Sequence, residues 1–343
     1  MLRKILAGTG AFIVVVWLLN TSLLATAPEG AKPRLIAHRG VHQIFSSEDL
    51  DNDTCTAERI FPPTHEFLEN TLPSMQAAFK KGAGVVELDI QLTPDGEFAV
   101  FHDWTLDCRT NGSGVTHETE MARLKELDIG YGYTADGGKT FPFRGKDTGM
   151  MPTLKEVFGA FPDGKFLLNF KSQRVEEASA LARMLEQSPV WRETVIGVYG
   201  GSIPTRESIS LIPNLRGYDK QSAVSCLAQY LAFGWTGIVP GPCRNTLVVV
   251  PANYAWLLWG WPHRFTERMR EAGSEVILLG PYGGGGFTSG IDDPEQIGLI
   301  PDDFDGYVWT NRIETIGPIL RPEGGDGRFS QLEEVGEEEG AGE

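Results

Sequence analysis

Residues 85–93, VVELDIQLT, decide the fold. They form an apolar run of strand length, stopped by the turn signal Pro94-Asp95-Gly96. A strand apolar on both faces belongs in a parallel sheet covered by helices. Two carboxylates interrupt the run, Glu87 and Asp89. Their spacing puts both on one face of the strand. Like charges inside a fold are costly unless a cation or a base partners them. The stretch therefore reads as a core strand that carries a site.

The neighbouring segments have the same character. Upstream, RLIAHRG (residues 34–40) is a short buried strand closing on His38, Arg39 and Gly40. Downstream, FAVFHD (residues 98–103) closes on His102 and Asp103. Between the first two strands the pattern predicts a helix over 72–81, capped by Asn70 or Thr71 and stopped by Gly82. Further helices are expected over 119–127, 153–161, 176–186, 222–232 and 264–272. Further strands are expected over 165–171, 195–199, 237–239, 276–279 and 307–310. The aromatic stretch YAWLLWGW (residues 254–261) is expected in the core, with a lip resting on a membrane as the alternative. Strand and helix alternate through residues 34–320, which predicts a single α/β domain, a TIM (β/α)8 barrel with small loop insertions. The competing architecture is an open doubly wound sheet, and no GxGxxG follows the first strand to favour it.

The two ends differ from the body. Arg3 and Lys4 precede an uncharged apolar run from Ile5 to Ala27, long enough to span a bilayer. Residues 1–27 are therefore expected to be a transmembrane anchor or a signal peptide. Ala25-Thr26-Ala27 resembles a cleavage site, although Pro28 hinders cleavage there. A buried core helix is the third reading. Either leading reading places the catalytic domain outside the cytoplasm, tethered to the membrane through the N-terminal helix or secreted. Residues 323–343 carry eight acids and one base and are expected to be an acidic disordered tail. The chain's formal charge is −16, and the tail's −7 leaves −9 for the rest. A body this acidic argues against nucleic acid as a partner.

Four cysteines, none in a CxxC, allow three disulfide pairings in an exported protein. The expected pairs are Cys55–Cys108 and Cys226–Cys243, each within one region of the chain. Free buried thiols are the other reading.

The residues at the strand ends suggest chemistry. In a barrel, the C-terminal ends of the strands form the active-site face. Glu87 and Asp89 would suit a hard divalent ion, Mg2+ or Ca2+. His38 and His102 supply an acid and a base near neutral pH, and Arg39 offers a fork for a phosphate. This set suits cleavage of a phosphoester.

Six motifs occur in order: His38-Arg39-Gly40, Glu69-Asn70-Thr71-Leu72, Glu87-Leu88-Asp89, Thr93-Pro94-Asp95-Gly96, His102-Asp103 and Arg109-Thr110-Asn111-Gly112. Through them the chain resembles the glycerophosphodiester phosphodiesterase family, densely over residues 34–112 and more thinly to about residue 320. The resemblance implies a TIM barrel that hydrolyses glycerophosphodiesters to an alcohol and glycerol 3-phosphate with Mg2+ or Ca2+. It implies His38 and His102 as the acid/base pair, Glu87 and Asp89 as metal ligands, and Glu69 and Asp103 as supporting groups. Arg39 and Lys171 would bind phosphate. Residues 112–150 would match the family's small insertion.

The chain also departs from the family pattern. Asn169 stands where a third, glutamate ligand is expected, and an amide oxygen can still ligate. Thr310-Asn311-Arg312 replaces a motif that usually contains Asp and reads as structural. Trp309 would wall the pocket or pack in the core. The loop between Gly40 and Glu69 holds 28 residues, and a Cys55–Cys108 bond would tie it over the pocket mouth. A lysophospholipid substrate gains from an anchor. The alternatives are a phospholipase D-like or cyclising phosphotransferase, and an anchored pseudoenzyme that binds metal or phosphate without turnover.

Overall fold

The structure, a computed structural model, describes residues 2–25, 27–50, 54–284 and 289–324. The expected acidic tail lies outside the described residues apart from Glu323 and Gly324. Nine strands form one sheet: β1 (Arg34–His38), β2 (Ala83–Leu92), β3 (Phe98–Val100), β4 (Phe166–Phe170), β5 (Val195–Gly200), β6 (Gly217–Tyr218), β7 (Leu247–Pro251), β8 (Glu275–Leu279) and β9 (Tyr307–Thr310). Eight of them run in the order β6-β5-β4-β2-β1-β9-β8-β7, and each neighbouring pair along this path is parallel. β3 is antiparallel to β2 and stands off the path. The ends of the order approach each other, where the Thr246 hydroxyl donates to the Gly217 carbonyl at 2.6 Å. The result is a nearly closed parallel barrel.

The helices are α1 (Leu2–Asn20), α2 (Leu72–Lys80), α3 (Met121–Leu124), α4 (Leu154–Ala160), α5 (Val175–Gln187), α6 (Pro189–Thr194), α7 (Ser202–Leu211), α8 (Lys220–Phe233), α9 (His263–Glu271) and α10 (Ile313–Leu320). Local chemistry sets their starts. Thr71 accepts from Ser74 N to cap α2, and Thr153 with Glu156 closes a capping box on α4. The largest apolar cluster packs α2, α4, α5, α8 and α9 onto the sheet. A second fills the barrel interior with Ile36, Val85, Leu167, Leu247, Ile277, Tyr307 and Trp309. A third joins Ala57, Ile60 and Leu68 of the long loop to the 104–150 insertion. Both expected disulfides are present, with Cα–Cα separations of 5.5 Å for Cys55–Cys108 and 4.8 Å for Cys226–Cys243. The first ties the loop to the insertion.

Three sequence expectations are corrected. Residues 237–239 form no strand; the fifth and sixth barrel strands are β6 and β7, which flank that position. β6 is only two residues long, too short for periodicity to show. The aromatic stretch is split: Ala255 and Leu258 are buried, while Tyr254, Trp256, Leu257 and Trp259 are exposed. The apolar run from Ile5 to Ala27 is not one helix. Asn20, Thr21 and Ser22 end α1, and Thr21 caps a short 3-10 turn over Ser22–Leu24. Among the described residues no helix is long and apolar enough to cross a membrane.

Candidate active site

The register of the strands brings the predicted residues together. His38 pairs with Glu87 across β1 and β2, and Asp89 pairs with Asn169 across β2 and β4. Asn169 pairs in turn with Tyr199 on β5. Glu87 and Asp89 share a face of β2, as period two requires, and both are fully buried. Two turns position the flanking groups. Arg39 leaves β1 with φ 57° and Asn70 has φ 60°, and Asn70 N donates to Arg39 O at 3.0 Å. Such left-handed geometry at a non-glycine costs about 1–3 kcal/mol and survives only where its surroundings hold it. Gly40 follows at φ 79°, where a Cβ would lie 2.3 Å from Ser74 Oγ. At the end of β5, a Cβ on Gly200 would lie 2.2 Å from Asn169 Oδ1, so glycine makes room for that side chain.

The two carboxylates differ in their partners. Asp89 faces Arg39 Nε at 3.0 Å and Lys171 Nζ at 3.5 Å, and accepts from Asn70 Nδ2 at 3.0 Å and Asn169 Nδ2 at 2.9 Å. Burial would raise its pKa, but Arg39 and Lys171 hold it well below the usual carboxylate range. Glu87 accepts from Tyr199 Oη at 2.7 Å and Arg39 N at 3.2 Å, with His38 Nε2 at 3.7 Å. Burial and the neighbouring Asp89 push it up to about 8.

The two histidines are held alike. His38 Nδ1 meets Asn311 Oδ1 at 2.6 Å, and Asn311 Nδ2 donates to Asp292 Oδ2 at 2.8 Å. Because the amide nitrogen is engaged by Asp292, the oxygen is the acceptor and His38 carries its proton on Nδ1. His102 Nδ1 meets Asp103 Oδ1 at 2.7 Å. In both rings Nε2 is left for a substrate. Burial, with Arg39 and His42 next, lowers the pKa of His38 well below its ordinary value. Burial and then Arg39 lower that of His102.

A chain of ion pairs connects the two halves. Asp103 Oδ2 takes Arg109 Nε at 2.8 Å, Arg109 Nη1 reaches Glu69 Oε2 at 2.9 Å, and Glu69 Oε1 takes Arg39 Nη1 at 3.1 Å. Burial works against Glu69 ionising, but Arg109 and Arg39 outweigh it and keep its pKa low. Arg109 also donates to Thr56 Oγ1 at 2.6 Å, next to the Cys55–Cys108 bond, and to Tyr133. The long loop and the insertion therefore brace the site through one guanidinium.

The sequence reading missed several groups. Asn311 was read as structural, yet it orients His38. Asp292, Tyr199 and Asn70 were not singled out. Asn70 and Arg109 stand inside recognised motifs, so a signal existed for them. Trp309 is corrected from a pocket wall: it is 0% exposed, with its ring centroid 5.1 Å from His38, and backs that imidazole from the barrel interior. The expected metal set is two carboxylates and one amide. Among the described residues no group of three or more His, Cys, Asp or Glu gathers to hold a metal ion. Glu87 and Asp89 do share one buried face of β2, and two carboxyl groups placed so fit a divalent cation. The third position, Asn169, is an amide whose Nδ2 donates to Asp89.

Comparison with known proteins follows the same lines. The model of the glycerophosphoryl diester phosphodiesterase family matches residues 56–195. A glycerophosphodiester phosphodiesterase of Caldanaerobacter subterraneus is 40% identical over 103 residues, 30% of this chain and 39% of that protein. One of Bacillus subtilis is 38% identical over 96 residues, 27% of this chain and 31% of that protein. The matched stretches thus span about a third of these curated relatives. Among solved structures, the glycerophosphoryl diester phosphodiesterase domain of an uncharacterised Mycobacterium tuberculosis protein superposes with a TM-score of 0.58 at 18% identity, covering 84% of this chain and 99% of that one. A glycerophosphodiester phosphodiesterase of Agrobacterium tumefaciens superposes at 0.52 and 19%, covering 83% and 99%. At these identities the superpositions show the fold. Residues 56–195 thus match the model of the glycerophosphoryl diester phosphodiesterase family, as the motifs suggest, and the barrel is similar in fold to these solved structures.

Proposed function

We propose that this chain is a phosphoric diester hydrolase that cleaves glycerophosphodiesters, lysophospholipids included, to an alcohol and glycerol 3-phosphate or a related phosphate. The observation that carries the reading is a pair of imidazoles, each fixed through Nδ1, set at a buried carboxylate pair and two cations. Neutral His38 takes a proton through Nε2 from the attacking water, and His102, as the imidazolium paired with the Asp103 carboxylate, gives its Nε2 proton to the leaving oxygen as the phosphorus–oxygen bond breaks. Arg39 and Lys171 offer charge to the phosphoryl oxygens. Glu87 and Asp89, with the Asn169 amide oxygen, would hold a divalent ion, Mg2+ or Ca2+. Bound there, it would supply further positive charge to the phosphate. Two disulfides support a place for the domain outside the cytoplasm.

A second reading, a phosphate-binding protein without turnover, rests on Asn169 and on the saturation of Asp89 by protein donors. Assay of glycerol 3-phosphate release from glycerophosphocholine, and of lysophosphatidic acid release from lysophosphatidylcholine, with and without EDTA, separates the two. Binding of glycerol 3-phosphate without release from either substrate would favour the second.

A further inference from the structure

We propose that the surface around the root of α1 is a lipid-docking collar that seats the body on one leaflet of a bilayer. Two observations meet here. The first is the helix. Every residue from Lys4 to Leu19 except Val16 is exposed, and no charge occurs after Lys4. Phe12, Ile13, Val14 and Val15 are consecutive and all exposed, so they cover the full circumference of the helix at about 100° per residue. A protein partner would cover one stripe; an apolar surface on all sides needs an apolar medium. The uncharged stretch from Ile5 to Leu19 is about 22 Å long, short of the roughly 30 Å hydrocarbon core, so it enters the bilayer without crossing it.

The second observation is how the helix is rooted. Arg268 of α9 is buried, donates to Leu19 O at 2.8 Å and Asn20 Oδ1 at 3.1 Å, and so caps the negative end of α1. The same guanidinium holds Tyr230 Oη and Gly234 O at the end of α8. Asn20 Nδ2 donates to Trp235 O at 2.8 Å, and Ser22 Oγ to Gly260 O at 2.7 Å. Trp259 Nε1 closes the ring on Leu231 O at 2.9 Å. The helix thus leaves the body from a fixed socket.

Large apolar side chains stand around that socket. Phe233 is 59% exposed, Ile238 63% and Trp256 73%, with Leu257 and Trp259 beside them. Exposed aromatics next to a bilayer-entering helix have the chemistry of an interfacial belt. Trp256 follows the C-terminal end of β7, the barrel end that also carries His38 and Asn169.

The test uses the full chain and phosphatidylcholine vesicles, with flotation to measure partitioning. A triple variant, Phe233→Glu, Ile238→Glu and Trp256→Glu, keeps α1 intact and removes the collar. Its partition coefficient should fall by about tenfold or more, with its melting temperature unchanged. As a second readout, bromine on the acyl chains should quench the fluorescence difference between the parent and Trp256→Phe. Equal flotation of parent and triple variant, or no quenching, would overturn the proposal. So would an oligomer of the parent that the triple variant dissolves while neither binds vesicles, since the surface would then meet a second copy. These readouts measure binding and not turnover, so they stand apart from the hydrolase reading.

Discussion

Replacing Asn311 with alanine removes its two amide contacts, to His38 Nδ1 and to Asp292 Oδ2, and leaves its backbone in place. The Asn311 side chain accepts from His38 Nδ1 at 2.6 Å, and its backbone N–H is separately held by Asp292 Oδ1 at 2.6 Å. Thr310 Oγ1 also binds Asp292, so the loop keeps its anchor in the variant. A hydrogen bond to a group that becomes charged is worth about 1.5–3 kcal/mol. His38 becomes an imidazolium only as it takes the proton, so the loss belongs to the transition state and should appear in kcat. Trp309, 5.1 Å away, still supports the ring and limits the disorder. The expected fall in kcat is therefore about 10- to 100-fold, with KM changed by less than about twofold. Steady-state release of glycerol 3-phosphate from glycerophosphocholine measures both constants. The 15N shifts of His38 provide a second readout, since the parent should show the Nδ1–H tautomer and the variant a mixture. A variant with unchanged kcat, or one that loses only KM, would refute the orienting role.

Three further outcomes are expected. The buried Glu177 carboxyl is raised from 4.5 to about 7, chiefly by burial, so the folded state favours its protonated form. Stability should then fall as pH rises from about 4.5 to 7, by about 3 kcal/mol from this group; Glu177→Gln, which keeps an acceptor for Leu92 N, should raise the melting temperature at pH 8 and not at pH 4. Breaking the Cys55–Cys108 bond, which closes a separation of 53 residues, with paired serines should cost about 4 kcal/mol in denaturant unfolding by loop entropy. Asn169→Glu adds a third carboxylate beside Glu87 and Asp89 and should tighten Ca2+ binding by calorimetry about tenfold or more; an unchanged affinity would remove Asn169 from the metal position.

Much of the fold was legible because its signals are local. The apolar run of β2 with two carboxylates on one face identified both a core strand and a site. The caps at Thr71 and Thr153 marked two helix starts. β6 escaped because two residues carry no periodicity, and β7 because its closing Pro251 and the aromatic stretch after it obscured the strand end. The ExD pair, the two histidines and Arg39 were readable from order and spacing. Asn311 and Asp292 were not, because they act across space on His38 from a distant strand end and its preceding loop, and neither residue type signals that task alone. Trp309 stayed open between pocket wall and core for a related reason: a strand-end position does not say which way an aromatic ring turns. The helix in the N-terminal apolar run is shorter than the run because three polar residues, Asn20, Thr21 and Ser22, which composition averages away, end it.

The central claim is hydrolysis through the paired imidazoles, and the direct measurement is glycerol 3-phosphate release from glycerophosphocholine by the full chain and by His102→Ala. The account expects release by the parent and a fall of about 100-fold or more in kcat for the variant. Release that is undiminished when His102 is lost, or no release by the parent with Mg2+ or Ca2+ supplied, would contradict it.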